Sequence, residues 1–476
     1  MRKTHLKSGL SAAALALGAL ATPALAEAPI LVTTPADTGA GSLRAALAAA
    51  AEREGGAQIA IVTAEDIEIA ETLDYAGTGP LTILGNGQTV STAANTTLLA
   101  ASAGADLTVT DLTFRGPGGF DIEARGDLDG ATAGKGIFVD VRDDQQGTVR
   151  LTLDNVTVAG VANHGVHVSD CSLADACGGG GGGAGEGSPA SIAVHLNAVT
   201  IDDVGNGKFD ADGLRVDERA GGDIRLVALD STFTRVGADG VELDEGQAGH
   251  VIATVRGARF VDNGAYCHPD LLAAFMPEAP EGEFEPGARA EADIPGDVTG
   301  TPDDRCFERE VDLYDDGSVE AYEIGIDVDD GIDFDEAGAG DLRSLMIDSE
   351  IRGNFDEGVD YDEEGAGHIL ASYLRATASG NADDAFKHSE ADAGGVVGEM
   401  TASIATANGG KGAVFEEEDG GDVTVTVTGT ITGNNDDGDD TGLELVQEDA
   451  GAGTATVTGS TLADGIDAEG VTVTQD

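Results

Sequence analysis

The chain has 476 residues, 88 of them acidic and 25 basic, which gives a formal net charge of −63; it also carries 71 glycines, no tryptophan and only 4% aromatics. That balance excludes nucleic acid and anionic lipid as partners, because both would be repelled. Strong charge with few aromatics also marks disordered chains, but 41% of the residues are hydrophobic and alternate with polar ones, so order is expected from many small stacked layers.

Residues 1–26, MRKTHLKSGLSAAALALGALATPALA, join a basic start to an apolar run and a small-residue ending. This pattern predicts a signal peptide, since the run from Leu10 to Leu20 is too short to span a bilayer. Residues 27–476 are then one domain, secreted or periplasmic, with no transmembrane segment after signal removal. In ILVTTPADTGAGSLRAALAAAAEREG a strand precedes a helix starting near Ser42, an N-cap residue, with Leu43 and Leu47 on one face. LTVTDLTFRG from Leu107, GIFVDV from Gly136 and GVHVSD from Gly165 alternate as strands.

The first interruption lies near 171–190. Cys171 and Cys177 close the loop CSLADAC, and Gly178 to Pro189 is a glycine-rich loop without the Lys-Ser/Thr ending of a phosphate-binding loop. A second interruption, 264–325, holds six of the twelve prolines and lies around Cys267 and Cys306. In an exported chain four cysteines invite disulfides, and three connectivities are possible. Locality favours Cys171 with Cys177 and Cys267 with Cys306.

Between and beyond these interruptions one block returns in phase. It reads GLRVDE from Gly213, GVELDE from Gly240, GIDFDE from Gly331, GVDYDE from Gly358, AFKHSE from Ala385 and GAVFEE from Gly412, with a spacing of 27 residues except across the second interruption. A period of this size indicates a solenoid. Within each block the residues one and three after the glycine alternate as the buried face of a strand. A second glycine follows nine residues after the first, from Gly222 to Gly421, where a φ > 0 turn is expected. Two further strands complete each repeat, and Asn263, Asn354, Asn381, Asn408 and Asn435 share one phase, which predicts an asparagine ladder.

Three strands per coil with stacked aliphatic, aromatic and asparagine positions resemble the right-handed parallel β-helix proteins, which include the pectate-lyase-like superfamily. The resemblance implies an all-β solenoid with an amino-terminal capping helix. In that superfamily lyases use carboxylate-bound Ca²⁺ to neutralise a uronate while Arg or Lys removes a proton.

The positions two and four after the block glycine face away from the core and carry Glu242, Asp244, Asp333, Asp335, Asp360 and Asp362. Carboxylates on neighbouring strands lie about 4.8 Å apart, a spacing suited to Ca²⁺, which takes six to eight oxygen ligands. These six are the candidate metal ligands and Ca²⁺ the candidate cofactor; a plainly solvated acidic face explains the pattern equally well. Only Arg215 and Lys387 supply outward bases on this stripe, and Lys387 is the candidate catalytic base because of its acidic neighbours. His388 takes an inward position, and the Asp-Gly pairs at Asp212, Asp239 and Asp330 suit turns, with Asp384 at the same phase before Ala385. His164 and His167 slightly resemble the histidine-glycine segment of polygalacturonases, whose other motifs do not line up here. The scarcity of outward bases favours a cation-loaded binding or structural surface protein, with polysaccharide or a cell-surface component as partner. The alternative is a Ca²⁺-dependent polysaccharide lyase or glycoside hydrolase working in the groove along the first strand.

Overall fold

A computed structural model describes residues 28–120, 134–142, 144–170, 187–265, 281–295, 307–314, 317–326, 328–435, 441–448 and 450–476. The expected signal peptide and all four cysteines lie outside the described residues, as does most of the glycine-rich loop. No described helix is long and apolar enough to cross a membrane.

Each coil contributes one block strand to a 12-stranded parallel sheet, and its other two strands to a 23-stranded sheet that bends between them. The chain is a parallel β-helix solenoid with three strands per coil. The bend between second and third strands turns on a single left-handed residue, as at Asp230, Gly257, Asp348 and Arg375; Asp and Asn tolerate this conformation better than most side chains. Helix Leu43–Ala51 closes the amino-terminal end, with the Ser42 hydroxyl accepting from Ala45 N at 3.2 Å and Leu43, Ala46, Leu47 and Ala50 buried on the first coil. The helix covers strand edges that would otherwise be exposed.

Leu243 pairs directly with Phe334, so the coil resumes in register across the second interruption. Inside that interruption Glu281–Glu283, Phe307–Leu313 and Val319–Ile326 form a small antiparallel sheet.

The inward ladders run as the alternation predicts. Phe334 stacks on Tyr361 at 4.8 Å and 5°, and His388 on Phe415 at 4.4 Å and 8°. His388 is fully buried; its Nδ1 donates to the Val414 carbonyl at 2.7 Å and its Nε2 accepts from the Tyr373 hydroxyl at 2.7 Å. Burial lowers its pKa to about 4, so it is a neutral core residue. The asparagine side chains bond rung to rung: the Nδ2 of Asn354, Asn381 and Asn408 donates to the next Oδ1 at 2.9, 2.9 and 2.7 Å.

The second glycine column has a different cause from the one expected. Gly340 and Gly367 do not adopt positive φ; instead a Cβ on either would lie 1.6 Å from the carbonyl oxygen of the glycine one coil earlier. Close approach of backbones at the corner fixes glycine there.

That corner also holds a third inward ladder. Glu218, Glu245, Glu336, Glu363, Glu390 and Glu417, five after each block glycine, stack in register and are at most 1% exposed, with Gln447 as the next rung. Gly249 N donates to Glu245 Oε1 at 2.9 Å. Burial first raises Glu336 and Glu363 from the ordinary 4.5 to about 8; Glu363 adds to the rise of Glu336, while for Glu363 the lowering by Glu336 is outweighed by burial and Glu390. Glu218 is raised to about 9 and Glu390 to about 7, again chiefly by burial. The Gln447 amide donates to Glu417 Oε2.

Candidate functional site

The outward face of the block sheet is built from two ranks of side chains in register. The rank two after the glycine runs Phe138, His167, Arg215, Glu242, Asp333 and Asp360; the rank four after it runs Asp140, Ser169, Asp217, Asp244, Asp335 and Asp362. Lys387 follows Asp360, since its backbone bonds to Val359 and Tyr361. This face is not the solvated stripe its charge suggests. Glu242 is 4% exposed, Asp244 0% and Asp360 8%, while Asp333, Asp335 and Asp362 are half-buried.

Its amino-terminal half is a closed network of opposite charges. Lys135 Nζ donates to His167 Nδ1 at 2.6 Å, and His167 Nε2 donates to Asp217 Oδ2 at 2.7 Å. Arg215 Nε donates to Asp217 Oδ1 at 2.8 Å, and its Nη1 to Glu242 Oε2 at 2.5 Å and Asp210 Oδ1 at 3.0 Å. Arg219 Nη1 donates to Asp244 Oδ1 at 2.7 Å. Burial works against the charge of Asp217, but Arg215 and His167 outweigh it and hold the carboxyl well below its ordinary range. Burial, and then Lys135, lowers His167 to about 4. His164 packs against His167 at 4.6 Å and accepts from Asp212 N at 2.9 Å.

The middle of the face is acidic. Oxygens of Glu242, Asp333 and Asp335 lie within 4.8 Å of one another, and so do those of Asp330, Asp356 and Glu357 at the neighbouring corner. Burial first, then Asp335, pushes Asp333 well above the ordinary carboxyl value. Asp330 is pushed up by burial and then by Glu357 and Asp239, and Asp356 is raised to about 10 by burial and Glu357. Asp330 is 8% exposed, and among the described residues its Oδ1 has no hydrogen-bond partner.

Lys387 borders this acidic middle. Its Nζ lies 2.8 Å from Asp360 Oδ2 and 3.3 Å from Glu357 Oε1, with the side chain 34% exposed. Burial disfavours its charge, yet Asp360, Glu357 and Asp362 outweigh burial and raise its pKa above the ordinary lysine value. In this setting the ammonium holds its proton tightly.

Of the sequence-predicted ligands, the structure brings Glu242, Asp333 and Asp335 together and seats Asp360 against Lys387. It turns Asp244 away into the Arg219 ion pair. Asp362 lies in the field of Asp360 and is raised well above its ordinary value, by burial first. The corner acids Asp330, Asp356 and Glu357 were not among the candidates. Their signal lay in phase: Asp212, Asp239, Asp330, Glu357 and Asp384 all precede a block start, and a column of acids asks for more than turn propensity.

No family model matches this chain, and no curated protein matches it. Among solved structures it is similar to pectate lyase Pel9A, with 13% identity, TM-score 0.36, and 94% of this chain and 79% of that one covered. It is similar to the A-module of mannuronan C-5 epimerase AlgE6 from Azotobacter vinelandii, with 11% identity, TM-score 0.35 and coverage of 94% and 98%. A GH136 lacto-N-biosidase from Eubacterium ramulus gives 13% identity, TM-score 0.36 and coverage of 85% and 64%. At these values the likeness concerns architecture alone.

Proposed function

We propose that this protein is an exported, cation-loaded acidic β-helix that binds an acidic polysaccharide or cell-surface component through divalent cations held on the block sheet. The observation that carries the reading is the pair of carboxylate triads, Glu242, Asp333 and Asp335, and Asp330, Asp356 and Glu357. Two ionised carboxylates 4.8 Å apart repel by about 3.5 kcal/mol at an effective dielectric of 20. A dication removes that repulsion and meets oxygen donors only, the donor set that Ca²⁺ prefers. The partner-free Asp330 Oδ1 supports the corner triad as one place where it would bind.

A second reading, a Ca²⁺-dependent lyase, is favoured by one observation: the part-exposed Lys387 lies against Glu357 of the corner triad. Carboxylates engaged by a dication would no longer hold the lysine protonated, and a nearby positive charge lowers an amine pKa. Lys387 would then take the proton next to a uronate carboxylate.

Thermal unfolding with Ca²⁺ and with chelator tests the common premise. Ca²⁺ should raise the midpoint of the natural chain, and Asp330→Asn should reduce that shift; an identical midpoint with and without Ca²⁺ removes the cation from the function. Release of unsaturated sugars from polyuronates, lost in Lys387→Ala, would select the lyase reading, while saturable binding without such products would select the binding one.

A further inference from the structure

In this strongly acidic molecule one patch of wall is built almost entirely of threonine. The second strands of the last three coils are Thr424–Thr428, Gly453–Thr458 and Val471–Gln475. Their inward positions are Val425, Val427, Gly453, Ala455, Val457, Val471, Val473 and Gln475, and their outward positions are threonine. Thr424, Thr426 and Thr428 align with Thr454, Thr456 and Thr458, and the last strand adds Thr472 and Thr474. All eight are exposed. The same wall upstream is mixed, with Arg225, Arg256, Arg343 and Glu399 at outward positions.

We propose that this threonine array is an ice-binding face that recognises the ordered water lattice of an ice surface. Neighbouring rungs lie about 4.8 Å apart, and alternate residues along a strand about 6.6 Å. Two O–H···O bonds of about 2.8 Å meeting at the tetrahedral angle separate second-neighbour water oxygens by about 4.5 Å, and three in an extended zigzag span about 7 Å. Threonine hydroxyls in this array therefore fall within a few tenths of an ångström of positions in a tetrahedral water network. The β-branched side chain is stiff at χ1, so the hydroxyls are held in place before contact and little freedom is lost on binding.

The other partner classes fit this face less well. A protein interface would be anchored by aromatic or arginine side chains, and the array has neither. Polysaccharide platforms rely on exposed aromatic faces, whereas the chain has no tryptophan and its largest aromatic side chains are in the core. The β propensity of threonine explains its use on a strand, but not its recurrence at eight of nine aligned outward positions, the ninth being Asp476 at the end of the last strand.

The test follows grain growth in frozen sucrose solution containing the full chain. The natural chain should keep ice grains small, Thr426→Lys and Thr456→Lys should each lose that effect, and Arg343→Ala upstream should keep it. Circular dichroism identifies the variants that remain folded, and either lysine variant suffices. Grain growth unaffected by the natural chain would overturn the proposal, as would full activity in a folded lysine variant. Binding to crystalline cellulose or chitin that the lysine variants lose, without an effect on ice, would also overturn it by assigning the face to a polysaccharide.

Discussion

Asp335 and Glu336 are adjacent in sequence and point to opposite sides of one strand, and each belongs to a stack of carboxyls repeated coil after coil. On the inner side the glutamates stack on one another, with backbone N–H groups at Glu245 and Glu417 and a glutamine at the end of the column. Among the described residues no basic side chain pairs with them, and burial raises their pKa values, which favours the protonated form. On the outer side the same crowding is relieved in two ways: by Arg215 and Arg219 in the amino-terminal half, and in the middle by Lys387 with, in our reading, dications. The difference teaches that a repeated acid is not one feature. What stands opposite the carboxyl decides whether it is a proton store, half of an ion pair or a ligand.

The largest effect is expected where the relief is a single side chain. Arg215 is 4% exposed and bonds to Asp217, Glu242 and Asp210. Arg215→Ala leaves these acids facing one another with one cation fewer. Removing one partner of a buried ion pair costs about 3–5 kcal/mol, so the denaturant midpoint at neutral pH should fall by that equivalent. A midpoint unchanged by this substitution would show that the network holds no fixed charge.

The inner column should respond to pH instead. Glu336 has a folded pKa of about 8 against an ordinary 4.5, raised by burial and then by Glu363. A raised folded pKa means that the folded chain binds more protons between these values. The stabilisation is thus complete below about 4.5 and is lost as pH climbs through about 8. In chelator, the melting temperature should fall from pH 5 to pH 9. Glu336→Gln mimics the protonated rung, as Gln447 does naturally. It should melt within about 2 °C of the natural chain at pH 5 and several degrees above it at pH 9. It should also keep the full Ca²⁺ shift, whereas Asp330→Asn should reduce it; the reverse result would place the cation inside the coil. A melting temperature independent of pH would mean that the column takes up no protons on folding.

The sequence carried the coil, the two apolar ladders and the asparagine ladder, because period and alternation report which side of a strand a residue occupies. Carrying the same alternation two residues further would have exposed the glutamate column; an acid at an inward position is simply not expected in a core. The outer stripe was legible as a set of positions but not as an environment. Whether Asp244 faces water, Arg219 or Asp333 depends on side chains from other coils, and Arg219 lies beyond the block altogether. Lys135, His167 and Asp217 meet across coils separated by irregular spacing, where no fixed phase relates them.

The smallest effect tests the border between ion pair and ligand. Lys387 Nζ holds oxygens of Asp360 and Glu357, and Glu357 also belongs to the corner triad. If the ammonium and a dication compete for these oxygens, Lys387→Met removes the competitor. Ca²⁺ measured calorimetrically should then bind a few-fold tighter, a change of about 1 kcal/mol, with little effect on stability in chelator because the lysine is part-exposed. Weaker Ca²⁺ binding in this variant would mean that Lys387 instead positions the carboxylates for the cation. The outer stripe would then be a preassembled site rather than an exchange between two kinds of positive charge.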